Sequence, residues 1–196
     1  LMILRKPMFS CMVAFGANIP GPYGAPLETL QQAIGELESY SIFKTRQSKM
    51  YRTKSFPDNS KPEYLNGCMH IQCDFDPYEL LKRLKHIEET FGRSNANRWD
   101  PRVCDLDILS YENLVLPDLR TFRYWHELSM ERQLTETPAT LVLPHPRLQD
   151  RAFVLKPLYE IAPDWIHPIL NLRPMEMFNA LPITDRLSIT GLTDNL

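Results

Sequence analysis

The chain has 196 residues, 43% of them hydrophobic and 23% charged, with 22 basic against 24 acidic side chains and a formal net charge of −2. That is enough apolar material for a sizeable core and too much for a disordered chain. The charge balance argues against broad binding to nucleic acid or to a membrane surface, which needs a basic excess, although local basic clusters can still hold a small anion. The cysteines Cys11, Cys68, Cys73 and Cys104 form no CxxC pair, so neither a disulfide framework nor a zinc site is expected. No apolar run reaches the roughly 18 residues of a membrane helix, and residues 1–9 lack the apolar core of a signal peptide. The expectation is a cytoplasmic chain forming a single domain over 1–196.

In chain order, the apolar run 11–15 predicts a buried strand ending at Gly16-Ala17-Asn18. Leu27, Leu30, Ile34 and Leu37 recur at helical spacing behind Pro26, which predicts a helix over about 26–39. Residues 42–53 read as a strand, 54–63 as a loop and 64–75 as a second strand with Met69, Ile71 and Cys73 on one face and His70 and Gln72 on the other. The clearest helix follows: Asp76 caps it, Pro77 opens it, Glu79 suggests a capping box, and Leu80, Leu81, Leu84, Ile87 and Phe91 form its apolar stripe up to Gly92. After a polar loop at 92–102 comes a strand at 103–109. Residues 117–139 read as an insert, partly helical around 124–133, and Phe153, Val154, Leu158 and Ile161 as a short helix disturbed by Pro157. The tail, 171–196, shows no strong period, and the core is expected over about 10–170. The order β-α-β-β-α-β predicts an α+β fold: an antiparallel ferredoxin-like sheet with helices packed on it and additional C-terminal elements.

The chemistry centres on Asp105-Leu106-Asp107. Side chains at i and i+2 of a strand share a face, so Cys104, Leu106 and Ile108 are expected in the core and both carboxylates outside it. Two like charges on one face repel unless a cation lies near, and hard oxygen ligands suit Mg²⁺ with phosphate. Taken alone, the pair fits an edge strand kept soluble by charge equally well. Arg93, Arg98 and Arg102 lie in the loop leading into it, which supplies the cations that phosphoryl transfer requires. There is no GxxxxGK[ST], and Gly16, Gly21 and Gly24 form no phosphate motif. His145, between Pro144 and Pro146, is held in an extended loop; it reads as a donor to a phosphate or ribose oxygen or as an ordinary loop histidine.

The run GRSNANRWDPRVCDLDI, residues 92–108, resembles the signature of the 6-hydroxymethyl-7,8-dihydropterin pyrophosphokinase family, whose RW-x-PR-x-x-DLD core is matched by Arg98-Trp99, Pro101-Arg102 and Asp105-Leu106-Asp107. Tyr51-Arg52-Thr53, Tyr64-Leu65-Asn66, Leu143-Pro144-His145-Pro146 and Arg151-Ala152-Phe153 match further family segments in the same order. The resemblance implies transfer of pyrophosphate from ATP to the pterin hydroxymethyl group, a step of folate synthesis, with small molecules as partners. It also implies the site. Asp105 and Asp107 hold two Mg²⁺ ions, Arg93, Arg102, His145 and Arg151 face the nucleotide phosphates, and Glu88 and Ile108 lie on the nucleotide side. Tyr64 and Phe153 sandwich the pterin, Thr53 and Asn66 read its polar edge, and Trp99 closes over it. The chain departs from the family pattern in the short 94–97 loop, in Asp100 where glycine is usual, and in Lys54-Ser55-Phe56. Two rival readings are a degenerate relative that binds ATP or pterin with little turnover, and a ferredoxin-like nucleic-acid module.

Overall fold

A computed structural model describes residues 7–55, 60–93 and 100–192. Its centre is a six-stranded sheet of β1 (Phe9–Ala17), β2 (Phe43–Gln47), β3 (Tyr51–Thr53), β4 (Tyr64–Cys73), β5 (Asp105–Tyr111) and β6 (Thr190–Gly191). The strand order is β5-β1-β4-β3-β6, with β2 pairing β4 further along. Every pairing is antiparallel. The long central strands β1 and β4 carry the apolar alternation expected of them, and Met69, Ile71 and Cys73 are buried.

Where the sequence suggested one strand over 42–53, the structure has two. The cause is Ser48: its hydroxyl accepts from the Cys68 N–H at 3.0 Å, standing in for a main-chain acceptor and interrupting the ladder. The helix expected over 26–39 is α1 (Pro26–Gly35) followed by a 3-10 turn at Glu36–Tyr40. α2 (Pro77–Thr90) starts where Asp76 accepts from the Tyr78 and Glu79 N–H groups, and Gly92 ends it at φ +95. Glu79 does not close a capping box; its carboxylate pairs instead with Arg83 one turn on, at 2.8 Å.

α1 and α2 cover one face of the sheet, where Leu30, Ile34, Leu80, Leu84 and Ile87 meet Val13, Phe15, Met69, Ile71, Leu106 and Ile108. The other face is only partly covered. α5 (Ala152–Ile161) and α6 (Pro174–Ala180) pack Val154, Leu155, Leu158 and Met177 on Met12, Cys68 and Leu109 across its middle. Both ends of that face stay open. Between β5 and α5 in sequence, within the segment 117–139, lie α3 (Leu119–His126) and α4 (Met130–Thr135). The tail is structured: Pro174 opens α6, with Glu176 accepting from the Arg173 N–H at 2.7 Å. α7 (Ile183–Leu187) follows, and β6 then returns to pair with β3.

Candidate active site

Strand register builds the site. Gly16 pairs with Asp105 on one side and with Asn66 on the other, and Asn66 pairs with Tyr51. Directly paired residues of an antiparallel sheet point to the same face, so Asp105, Asn66 and their i±2 neighbours Asp107 and Tyr64 share the half-covered one. Leu106 and Ile108 point the opposite way and are buried, as the alternation requires. Gly16 leaves this row open: a Cβ there would lie 2.9 Å from the Asn66 Oδ1.

At the acidic end, Asp105 takes Arg93 at 3.0 Å and Arg102 at 3.4 Å, while the Lys85 Nζ lies 3.9 Å from Asp107. Behind them is Glu88, fully buried at the end of α2. Its Oε1 accepts from the Leu106 N–H at 2.6 Å and from Lys85 at 3.0 Å, and its Oε2 pairs with Arg93. Burial raises the Glu88 carboxyl to about 7, against the pull of Lys85 and Arg93. Burial, then repulsion from Asp107, also raises Asp105. For Asp107 the burial effect is outweighed by Lys85, His145, Arg151 and Arg93, so it ionises more readily than usual. The two neighbouring carboxylates thus differ in what surrounds them: one is locked to arginines, the other faces several cations with no close pair.

His145 reaches this face from the loop before α5. Its N–H donates to the Leu109 carbonyl at 2.8 Å, which ties the loop to β5. Its Nδ1 accepts from the Arg147 N–H at 3.2 Å, so the ring proton sits on Nε2. Burial, then Arg151, drives its pKa down to about 3, with Asp107 opposing, so the ring is neutral and presents a donor. Arg151 precedes α5 and lies over the Phe153 ring, its Cζ 5.8 Å from the centroid.

The remaining expected residues lie across the same face. Asn66 donates to Thr53 Oγ1 at 2.7 Å, and both are buried. Burial raises the Tyr64 phenol, and Asp105, Arg102 and Arg93 all act on it, so this ring borders the charged end. Phe153 is held by the first turn of α5, whose Val154 carbonyl accepts from Cys68 Sγ at 3.5 Å, one step along β4 from Asn66. The side chain of Ile108 lies in the opposite core. β5 is an edge strand, and by alternation the Ile108 main chain points outward with that of Leu106, which leaves its backbone as the part that can meet a ligand. Trp99, with Arg98 and the 94–97 loop, lies outside the described residues.

Three contributors carried no signal strong enough to single them out. Asn18, buried at the end of β1, exchanges main-chain and side-chain bonds with Arg102 and donates to Ser55 Oγ at 3.3 Å and to the Pro62 carbonyl at 3.1 Å. It ties the arginine loop to the loop beyond Thr53. Lys85 bridges Glu88 and Asp107; its spacing of three residues from Glu88 on a helix was the available clue. Gly16 keeps the row between Asp105 and Asn66 clear.

A cavity of about 190 Å³ bounded by Lys85, Glu88, Glu89 and Arg93 opens beside the acidic end. Among the described residues, no group of three or more His, Cys, Asp or Glu side chains could hold a metal ion. Paired carboxylates flanked by arginines, next to an amide-and-aromatic wall, are groups chemically suited to phosphate oxygens on one side and a flat polar ring on the other.

A family model described as 7,8-dihydro-6-hydroxymethylpterin-pyrophosphokinase (HPPK) matches residues 12–163. A 2-amino-4-hydroxy-6-hydroxymethyldihydropteridine pyrophosphokinase from Synechocystis sp. is 39% identical over 158 residues, 80% of this chain and 68% of that protein. A protein of the same name from Haemophilus influenzae is 30% identical over 161 residues, covering 82% and 86%. Among solved structures, a Plasmodium falciparum HPPK-DHPS variant crystallised with pterin and p-hydroxybenzoate superposes with a TM-score of 0.63 at 14% identity, over 90% of this chain and 44% of that one. That likeness is one of fold, and the chain spans less than half the length of the HPPK-DHPS protein. The chain belongs to the HPPK family, and it is a pyrophosphokinase. No helix of the described residues is long and apolar enough to cross a membrane.

Proposed function

We propose that the face bounded by Asp105, Asn66 and Phe153 is where this chain transfers pyrophosphate from ATP to 6-hydroxymethyl-7,8-dihydropterin, the folate-biosynthesis reaction of its family. The observation that carries the site assignment is the register Asp105–Gly16–Asn66. It sets the charged end and the amide end two strands apart, about 10 Å. That suits a pterin whose hydroxymethyl group extends from the amide toward the phosphates.

Tyr64 and Phe153 supply aromatic faces for the flat ring, and Asn66, with Thr53 behind it, supplies an amide that both donates and accepts. Arg93, Arg102 and Arg151, with the neutral Nε2–H of His145, take the phosphate oxygens, and Glu88 and the Ile108 main chain border the nucleotide. Asp105 and Asp107 fit Mg²⁺: they are hard oxygen donors on one face, too few to complete a shell without phosphate oxygens and water. When bound there with ATP, one or two Mg²⁺ ions would neutralise the triphosphate. Arg93 and Arg102 stand on Asp105. Binding exchanges these partners, so that the arginines move from carboxylate to phosphate. The substrate hydroxyl then attacks the β-phosphorus in line, the bond to the α-phosphate breaks, and AMP leaves; no protein nucleophile is needed.

We further propose that residues 1–196 form one catalytic unit with a core over about 10–170, and that the order β-α-β-β-α-β makes that core ferredoxin-like. The antiparallel order β5-β1-β4-β3 supports this. The ligands are small molecules, since a sheet face carrying Asp105 and Asp107 repels a nucleic-acid backbone. Incubation with ATP, Mg²⁺ and 6-hydroxymethyl-7,8-dihydropterin tests the reading. It expects AMP and pterin diphosphate in equal amounts; ADP, or AMP formed without pterin, would refute it.

A further inference from the structure

A second cavity lies away from this site. About 550 Å³ in volume, it opens at the other end of the same sheet face, beyond the part covered by α5. Its floor is a second row across four strands: Ser110 pairs with Met12, Met12 with His70, and His70 with Arg46. Ser10, Gln72, Glu112 and Asn113 line it, and the segment Ile161–Trp165 forms its roof. His70 lies four residues along β4 from Asn66, about 13 Å, so the two sites are separate.

The floor is polar where the covered middle of the face is apolar, and its groups are arranged. The His70 ring is held on both nitrogens, by Ser10 Oγ at 2.6 Å and by Thr45 Oγ1. Arg46 is anchored by one bond, to the Ile161 carbonyl at 3.2 Å, which leaves its other N–H groups available. Glu112 stands in the left-handed region at φ +47 with one oxygen on the Ser10 N–H at 2.5 Å. Ser110 is 3% exposed and lines the cavity. The Trp165 indole N–H is buried without a partner among the described residues.

We propose that this cavity is a second binding site, for a short zwitterion of dipeptide size, with its carboxylate on Arg46 and its ammonium on Glu112. Arg46 stands on β2 and Glu112 directly follows β5, the two outer strands of the floor. Three strand spacings, about 14 Å, separate the Arg46 and Ser110 backbones. Side chains reaching inward from each wall leave a gap that two extended residues, about 7 Å, can span. Between the charged ends, Ser110 and Gln72 meet the peptide group, while Met12, Pro163 and Trp165 offer apolar contact. The volume is within the range of small-ligand pockets.

The test uses the dipeptide glycyl-phenylalanine with free ends and the same dipeptide acetylated and amidated. Both are titrated into the full chain by calorimetry and followed by amide and indole NMR shifts. The expected result is saturable binding of the free dipeptide, with shifts at His70, Ser110 and the Trp165 indole. Capping the ends, Arg46→Gln and Glu112→Gln should each weaken it at least about tenfold, and Ser110→Ala should weaken it less. Arg46 and Glu112 are exposed, so their variants keep the fold, and pterin turnover in all three variants should match the parent chain. Absence of saturable binding, equal binding of the capped dipeptide, or shifts confined to the Asp105–Phe153 end would overturn the proposal.

Discussion

Glu88→Gln separates charge from shape at the buried end of α2. The amide keeps an oxygen for the Leu106 N–H, which Glu88 now meets at 2.6 Å, but it cannot ionise. In the parent chain the carboxyl rises from 4.5 to about 7 on folding, chiefly through burial. At 1.36 kcal/mol per unit, this is about 3 kcal/mol. The sign follows from proton binding. The folded state holds this proton more tightly than the unfolded chain, so the contribution is fully present below 4.5 and is lost as pH rises through 7. The glutamine variant has no such loss. The free-energy difference between parent and variant should therefore shift by about 3 kcal/mol in the variant's favour between about pH 4 and pH 8. Urea unfolding of both proteins, followed by far-ultraviolet circular dichroism at several pH values across that interval, reads this directly. A difference that stays constant with pH would refute the reasoning, whatever its size.

Gly16→Ala should disturb the pterin end alone. Its Cβ would lie 2.9 Å from the Asn66 Oδ1, so the amide must turn, and pterin affinity in calorimetry should fall by about 1–3 kcal/mol with ATP affinity nearly unchanged. Asn66→Ala should do the same; equal losses for both substrates would contradict the pterin assignment. His145, held neutral with a pKa of about 3, should show no titration between about pH 6 and pH 8 in carbon-13 NMR of its ring. Because its folded pKa lies below the free value of 6.5, the stability it contributes is present above 6.5 and is lost as pH falls toward 3. A ring that titrates near 6.5 would contradict that environment.

The acidic strand was legible because it alternates: Leu106 and Ile108 belong to a core, Asp105 and Asp107 do not, and only a strand puts the two sets on opposite faces. Asp76, Pro77 and Gly92 similarly marked α2, since each acts within a few residues of its own position. What the sequence concealed depends on distant partners. Asn18 is polar at a buried strand end, and its meaning lies in bonds to residues 84 and 44 positions away. The break between β2 and β3 comes from Ser48 meeting Cys68, and serine in a strand does not announce that bond. The tail showed no period because α6 and α7 are short, although Pro174 with Glu176 carried a local start signal. The polar row at Arg46, His70 and Ser110 carried no signal in the sequence, since nothing local says that residues 161–165 roof it.

The site assignment rests on Asp105 and Asp107 serving the triphosphate through one shared face of β5. The most direct measurement is AMP release by Asp105→Asn and Asp107→Asn at saturating Mg²⁺, ATP and pterin, with thermal unfolding of each variant recorded alongside. Asparagine keeps the size and removes the charge, and neither side chain is part of the core. Both variants should fold, with turnover reduced by about 10²-fold or more, the scale seen when one preorganised electrostatic group is lost. Turnover equal to that of the parent chain in two folded variants would contradict it.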